Sequence, residues 1–435
     1  MRVFIDCTHT ANHTYKNTGI HRVVRQLTLE LTKLSLANSD VKAISVKFDG
    51  NFISRVTSLY PENDSQPAES NQASSAILTK IINKFNFLVY KANNKIRRVW
   101  PFKYLLYKPS ISTSKEPDEF EGTKLSPEDV YLIVDSNWDL PNSYYNFLQR
   151  LKSHGVTIIL VCYDLIPIKF PEFCSKDFCK TFSEFFIQYS PLFDKVIGIS
   201  RQSAKDYIEA KEKGILPNTN SNQVVTSFRL GADSIKHQKF QNMDDNDNNS
   251  ENTQLKSVLN KRYILVVGSL VPHKNIKTTI TAFDLLVESN ENVHLVFAGN
   301  RGWDLETDRL IESNKNYGKL IHIFGSISDS QLRLLYENCY CLVQASFYEG
   351  YGLPVVEALQ NYKPVIASTG GSLPEVGGDF CIYFDPNQPE ELYKSLSQLL
   401  SSDTYYNQLV TRLRTEYKPF SWQESAKELL SHLYG

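Results

Sequence analysis

The hydrophobic positions of the chain fall into short, wholly apolar runs separated by longer stripes of helical period. Residues 3–5 read as a buried strand, followed by an Asn/Thr-rich polar loop that runs to Gly19. From there Ile20, Val23, Val24, Leu27, Leu31 and Leu34 repeat as one face of a helix. Strands are predicted again at 130–134, 157–162 and 195–199, with helical patterns between them. Residues 242–253, NMDDNDNNSENT, are almost purely polar, so the spacing predicts a solvated linker there, drawn over 241–258. The alternation then restarts: strands at 263–267, 294–298, 321–324, 341–344 and 364–367, and a helix over 276–286. Ser328 and Gln331 open one of the later helices at capping-box spacing. Strands alternating with helices imply parallel sheets. The class is therefore α/β, with two Rossmann-like domains facing a central cleft. The domains are drawn over 1–240, with an insertion at about 55–125, and over 259–419.

Composition narrows this picture in three ways. At 435 residues two domains are natural. A formal net charge of -1 gives no general attraction to nucleic acid, which is not expected as a partner. The seven cysteines show no zinc-type spacing and several sit in apolar runs, so a reduced, cytoplasmic compartment is expected and no metal. The N-terminus lacks a signal-peptide pattern, and no apolar run approaches the ~20 residues of a membrane span. Residues 79–114 carry eight Lys or Arg and no acid, interleaved with aromatics. That mixture suits an anionic membrane surface, as at the inner face of a membrane, and equally a solvated helical insertion.

Candidate chemistry concentrates in ASFYEGYGLPVVEALQ, residues 345–360. It leaves a strand and enters a helix with Pro354 early in the first turn. Gly350 and Gly352 leave backbone N–H groups beside a positive helix end, a place for an anion or for hydroxyl-rich ligands. Glu349 and Glu357 offer two carboxylates at different depths, each a good acceptor for vicinal sugar hydroxyls. Helix-end acids that merely complement the dipole would look the same.

EGYGLPVVE resembles the donor signature of retaining GT-B glycosyltransferases of family 4, with mannosyltransferase-like members of polysaccharide and O-antigen assembly. The resemblance implies that Glu349 faces the transferred sugar and Glu357 binds the nucleotide ribose. It also implies that the backbone of Gly350, Tyr351, Gly352 and Leu353 contacts sugar hydroxyls and diphosphate. VVGSLVPHKNI is similar to the motif whose basic residues neutralise the leaving diphosphate. Lys274 holds the lysine position, while His273 and Ser269 stand where many members have arginine, which thins the positive charge. HIFGSISDSQL resembles the loop that cradles the base, near Ile327. Asp329 lies where relatives using guanosine-diphosphate sugars place a carboxylate, or is simply a first-turn helix acid. STGGSLPEV, residues 368–376, is similar to the family's glycine turn beside the phosphates.

In the first half, Asn17–Val24 resembles the family's glycine loop near diphosphate and acceptor, bringing in Gly19 and Arg22. CYDLIPIKFPEF is similar to its His-Asp-Leu-Ile-Pro loop, with Tyr163 replacing the histidine and Asp164 facing the cleft to bind the acceptor or orient the sugar. PFSWQESAKELL resembles the terminal helix, about 420–435, that returns to the first domain. The implied catalytic set is Glu349, Lys274 and Asp164. The implied reaction moves a hexose, mannose from GDP-mannose first, onto an oligosaccharide or lipid-linked glycan, with no cofactor beyond the nucleotide-sugar donor. The other readings are a nucleotide-sugar epimerase on the same fold and a non-catalytic scaffold of a polysaccharide assembly complex. A dinucleotide oxidoreductase lacks its Gly-x-Gly-x-x-Gly after the first strand.

Overall fold

The computed structural model describes residues 1–37, 40–61, 119–121, 123–233, 250–289, 291–325 and 327–433. The chain divides into one compact unit, Met1–Leu59 with Pro117–Gly435, and a second, Tyr60–Glu116. Almost all of the second unit, and with it the basic segment 79–114, lies outside the described residues.

Within the first unit two sheets form. The N-terminal strands are β1 (Arg2–Asp6), β2 (Lys42–Phe48), β3 (Ile53–Arg55), β4 (Glu119–Phe120), β5 (Thr123–Lys124), β6 (Val130–Ile133), β7 (Thr157–Cys162), β8 (Lys195–Gly198) and β9 (Val224–Ser227). Seven of them order as β3-β2-β1-β6-β7-β8-β9, while β4 and β5 make a separate hairpin. All pairs of the large sheet are parallel except β2–β3. The C-terminal strands are β10 (Tyr263–Val267), β11 (His294–Ala298), β12 (Ile321–Phe324), β13 (Cys341–Gln344), β14 (Val365–Ser368) and β15 (Cys381–Phe384). They order as β12-β11-β10-β13-β14-β15, all parallel.

The strands form where the sequence is apolar on both faces. VYLI of β6 and YILVV of β10 are buried at every residue, as helices covering both sides of a parallel sheet require. Strands β2, β9 and β15 escape the sequence reading because they alternate or sit half-buried at edges, where no continuous apolar run marks them. The order of each sheet reverses once near its middle, at β1–β6 and at β10–β13. Ligands of open α/β sheets bind outside the carboxyl ends of strands at such switch points.

Two further features position the site. Helix Trp422–Ser431 leaves the C-terminal domain and buries Trp422, Ala426 and Leu429 in the core formed with Val24, Leu27 and Leu31 of helix Gly19–Ala37. Its start is pinned by Trp422 N–H donating to Asp233 and by a capping box of Ser421 and Glu424. The linker expected over 241–258 is corrected in its second half, where helix Ser250–Leu259 forms. Leu255 and Val258 lie three apart on that helix and are buried against Leu335 and Leu413, so this turn belongs to the C-terminal core.

Candidate active site

A cavity of about 1020 Å³ opens between the carboxyl ends of the two sheets. Its walls come from the loop after β1, the loops after β6 and β7, and, across the cleft, the loops after β10, β11, β12 and β13. Most of the expected site residues line it: Gly19, Arg22, Tyr163, Asp164, Ser269, His273, Lys274, Ile327, Asp329, Glu349 and Leu353.

The centre of the site is an ion pair. Lys274 ends a 3-10 turn after β10, and its Nζ donates to Glu349 Oε1 at 2.6 Å. The same Oε1 accepts from Gln344 Nε2 at 2.7 Å and Ser346 Oγ at 2.6 Å. These bonds leave Oε2 to the cavity. Burial pushes the Glu349 carboxyl up, but the Lys274 charge outweighs it and the group is held below its ordinary value. Gln344 and Ser346 are positioning residues that the sequence reading missed; a glutamine ending the apolar run of β13, five residues before a glutamate, was the available signal.

Asp164 stands across from this pair. Its Oδ1 accepts the Ile166 N–H at 3.0 Å, yet burial and the Glu349 charge raise its carboxyl to about 6. The Tyr163 hydroxyl donates to the Val134 carbonyl at 2.7 Å, so this side chain is a fixed wall and no proton carrier. His273 is lowered to about 4 by burial and by neighbouring Lys274, so it carries no charge near neutral pH and the positive end of the site rests on Lys274.

Four expected contacts lie behind the wall. Glu357 is buried; Arg22 holds one of its oxygens in an ion pair, and Tyr336 Oη donates to the other at 2.7 Å. The Glu357 charge in turn raises the Arg22 guanidinium. Gly350 abuts the Tyr163 carbonyl, and its own carbonyl accepts from Ser200 and Ser203. Gly352 caps helix Leu353–Gln360 at φ +102°, a left-handed turn that packs against Leu373. Tyr351 is corrected from donor contact to inter-domain anchor. Its ring joins the core of the first domain and its hydroxyl donates to the Leu230 carbonyl at 2.7 Å. Tyr351→Phe should therefore lower folding stability by about 1–2 kcal/mol through the orphaned carbonyl. Denaturant unfolding reads that loss, while the Michaelis constant for donor should stay unchanged.

Asp329 opens helix Asp329–Asn338 as expected and accepts from Asn17 Nδ2 of the first domain at 2.7 Å. The capping box of Ser328 and Gln331 is formed. Gly19 is the first residue of its helix and faces open space, so its lack of a side chain widens the cavity.

Residues 247–416 match the family model described as Glycosyl transferases group 1. The C-terminal domain is thus a domain of that group. The serotype-specific mannosyltransferase WbdA of Escherichia coli is 26% identical over 336 residues, covering 75% of this chain and 40% of that protein. The O-antigen chain mannosyltransferase B of Escherichia coli is 33% identical over 171 residues, 39% of this chain and 45% of that protein. The chain thus spans less than half the length of these curated relatives. Among solved structures, HepE of Anabaena in complex with UDP and glucose aligns over 100% of this chain and 99% of its own, at TM-score 0.58 and 14% identity. Sucrose-phosphate synthase of Thermosynechococcus elongatus aligns over 100% and 98%, at TM-score 0.58 and 16% identity. The fold is GT-B: two parallel-sheet α/β domains facing one cleft.

Proposed function

We propose that this chain is a retaining glycosyltransferase that moves mannose from GDP-mannose to a hydroxyl of a growing glycan in polysaccharide assembly. The observation that carries the reading is the Lys274–Glu349 pair on the cavity wall, at the carboxyl ends of β10 and β13. Transfer needs positive charge where the diphosphate departs and a carboxylate beside the sugar, and the pair supplies both within one hydrogen bond. Glu349 Oε2 is the atom left to accept from a sugar hydroxyl. Asp164, neutral below about 6 and ionised above, orients acceptor or sugar from the opposite wall. The leaving phosphate takes the acceptor's proton, so no dedicated base is required, and the reaction is drawn without a metal.

Mannose is favoured by the names of the curated relatives, and guanine by Asp329 on the cavity wall, whose carboxylate can accept from two adjacent N–H groups of that base. Binding the ribose at Glu357 requires Arg22 to leave it. The cation freed in this way, already on the wall, then faces the phosphates.

A thermal-shift panel with guanosine, uridine, thymidine and adenosine diphosphates, run in EDTA, tests the donor half. At a hundredfold excess over Kd a bound nucleotide contributes about 2.7 kcal/mol. Selective stabilisation by GDP, lost in Glu357→Ala and Lys274→Ala, is expected. Well-folded protein that no nucleotide stabilises would sink the transferase reading in favour of a scaffold.

A further inference from the structure

The cavity has a second branch that the donor chemistry does not use. It runs from Asp164 into the first domain beneath helix Lys176–Tyr189. Phe178, Phe182, Phe185 and Phe186 fall at i, i+4, i+7 and i+8 and present one aromatic face. Trp138 closes the other side, 5.1 Å from Phe182 and 6.2 Å from Phe178 between ring centroids. Phe178 to Phe182 is 5.8 Å and Phe182 to Phe186 4.8 Å, so the rings form a continuous ladder. The ladder starts in solvent, with Phe178 38% exposed, and ends buried, with Phe186 at 3%.

Polar groups at its border are already committed. Asp135 accepts from the N–H groups of Thr10 at 2.6 Å and Ser136 at 2.8 Å, and the Tyr163 hydroxyl is held by Val134. A sugar pushed into this branch would bury hydroxyls without partners, which costs more than it returns. An apolar chain meets the opposite balance. Any group attached to an acceptor hydroxyl poised between Asp164 and Glu349 has this branch beside it.

We propose that the aromatic branch binds the apolar aglycone of the acceptor, an alkyl, acyl or prenyl chain, so that the substrate is an amphiphilic glycolipid. The assignment rests on the transferase reading, because it takes Asp164 and Glu349 as the reacting centre. Its test is a binding series by calorimetry on the full chain at saturating GDP. The probes are methyl, butyl, hexyl and octyl α-mannopyranosides, each below its micelle concentration.

Affinity should rise roughly threefold per added methylene, with a heat-capacity change growing more negative along the series. Cys174→Trp, which fills the branch from its wall, should flatten the series. Phe178→Ala, at the exposed end where folding is not at stake, should weaken octyl binding several-fold and leave methyl binding alone. Both variants should keep their stabilisation by nucleotide. A flat series in the wild type, or a dependence on chain length that survives both variants, overturns the aglycone site. Neither result touches the donor reading, which falls only with loss of nucleotide stabilisation; a chain-length dependence abolished by the variants would then still mark an amphiphile site.

Discussion

Lys274→Met is expected to lower the turnover of transfer by about 10²–10³ and, independently, to cost roughly 3 kcal/mol of folding stability. The first effect follows from position. His273 is uncharged near neutral pH, and Arg22 is engaged by Glu357, so Lys274 is the charge beside the sugar carboxylate and removing it leaves the departing phosphate uncompensated. The second follows from what is left behind. Glu349 is buried, and without Lys274 its Oε1 keeps only Gln344 and Ser346 as partners. A buried carboxylate that loses its cation is costly; a neutral isostere at the same place is not.

The pH dependence separates the two effects. In the wild type the Glu349 carboxyl lies below its ordinary value when folded, so the pair's stabilisation is complete above the unfolded value of 4.5 and is lost as pH falls through the folded one. In Lys274→Met burial acts alone and raises that carboxyl. The variant's deficit should therefore be greatest at pH 7 and shrink toward pH 4, where its Glu349 is neutral. Denaturant unfolding at several pH values reads this directly. Lys274→Met with Glu349→Gln should recover most of the stability and none of the turnover. A deficit independent of pH would show that the two side chains are not paired in solution.

The architecture was legible because both sheets are parallel and buried on two faces, so their central strands stand out as unbroken apolar runs such as TIILVC and YILVV. The donor motif was legible for a different reason. Its glycines and carboxylates are confined to one strand-to-helix turn, and local spacing reports on local geometry. What the sequence could not report is which face of that turn meets the other domain. Tyr351, Gly350 and Glu357 all lie in the motif, yet their partners are Leu230, Tyr163 and Arg22, each more than 100 positions away. The same limit applies to helix Ser250–Leu259. Its polar start resembled a linker, and only the burial of Leu255 and Val258 by distant Leu413 makes it part of a core.

That long-range packing makes Gly350→Ala the second large effect. A Cβ at this position would stand 2.3 Å from the Tyr163 carbonyl oxygen and 2.9 Å from Asp164 Cβ, both across the cleft in the other domain. Relief requires a shift on the order of 1 Å, because contacts inside a packed interior do not compress. The turn has little freedom to give. On one side Ser200 and Ser203 hold the Gly350 carbonyl; on the other, Tyr348 Oη donates to buried Asp206 at 2.6 Å. Asp206 is in turn paired with Lys169 at 2.6 Å. The added methyl should therefore displace Asp164 against Glu349, the two groups that face each other across the reacting centre. Overpacking of this kind costs about 1–3 kcal/mol. A misplacement of that size lowers turnover about 10²-fold with the binding groups intact. Ser203→Ala, which removes one of two donors to the same carbonyl and adds no bulk, should cost about 1 kcal/mol and leave turnover near the wild type. Steady-state kinetics and denaturant unfolding on the two variants decide the point. Wild-type behaviour of Gly350→Ala would mean that the loops bearing Asp164 and Glu349 stand apart in solution, and that closing them is a step the substrate has to drive.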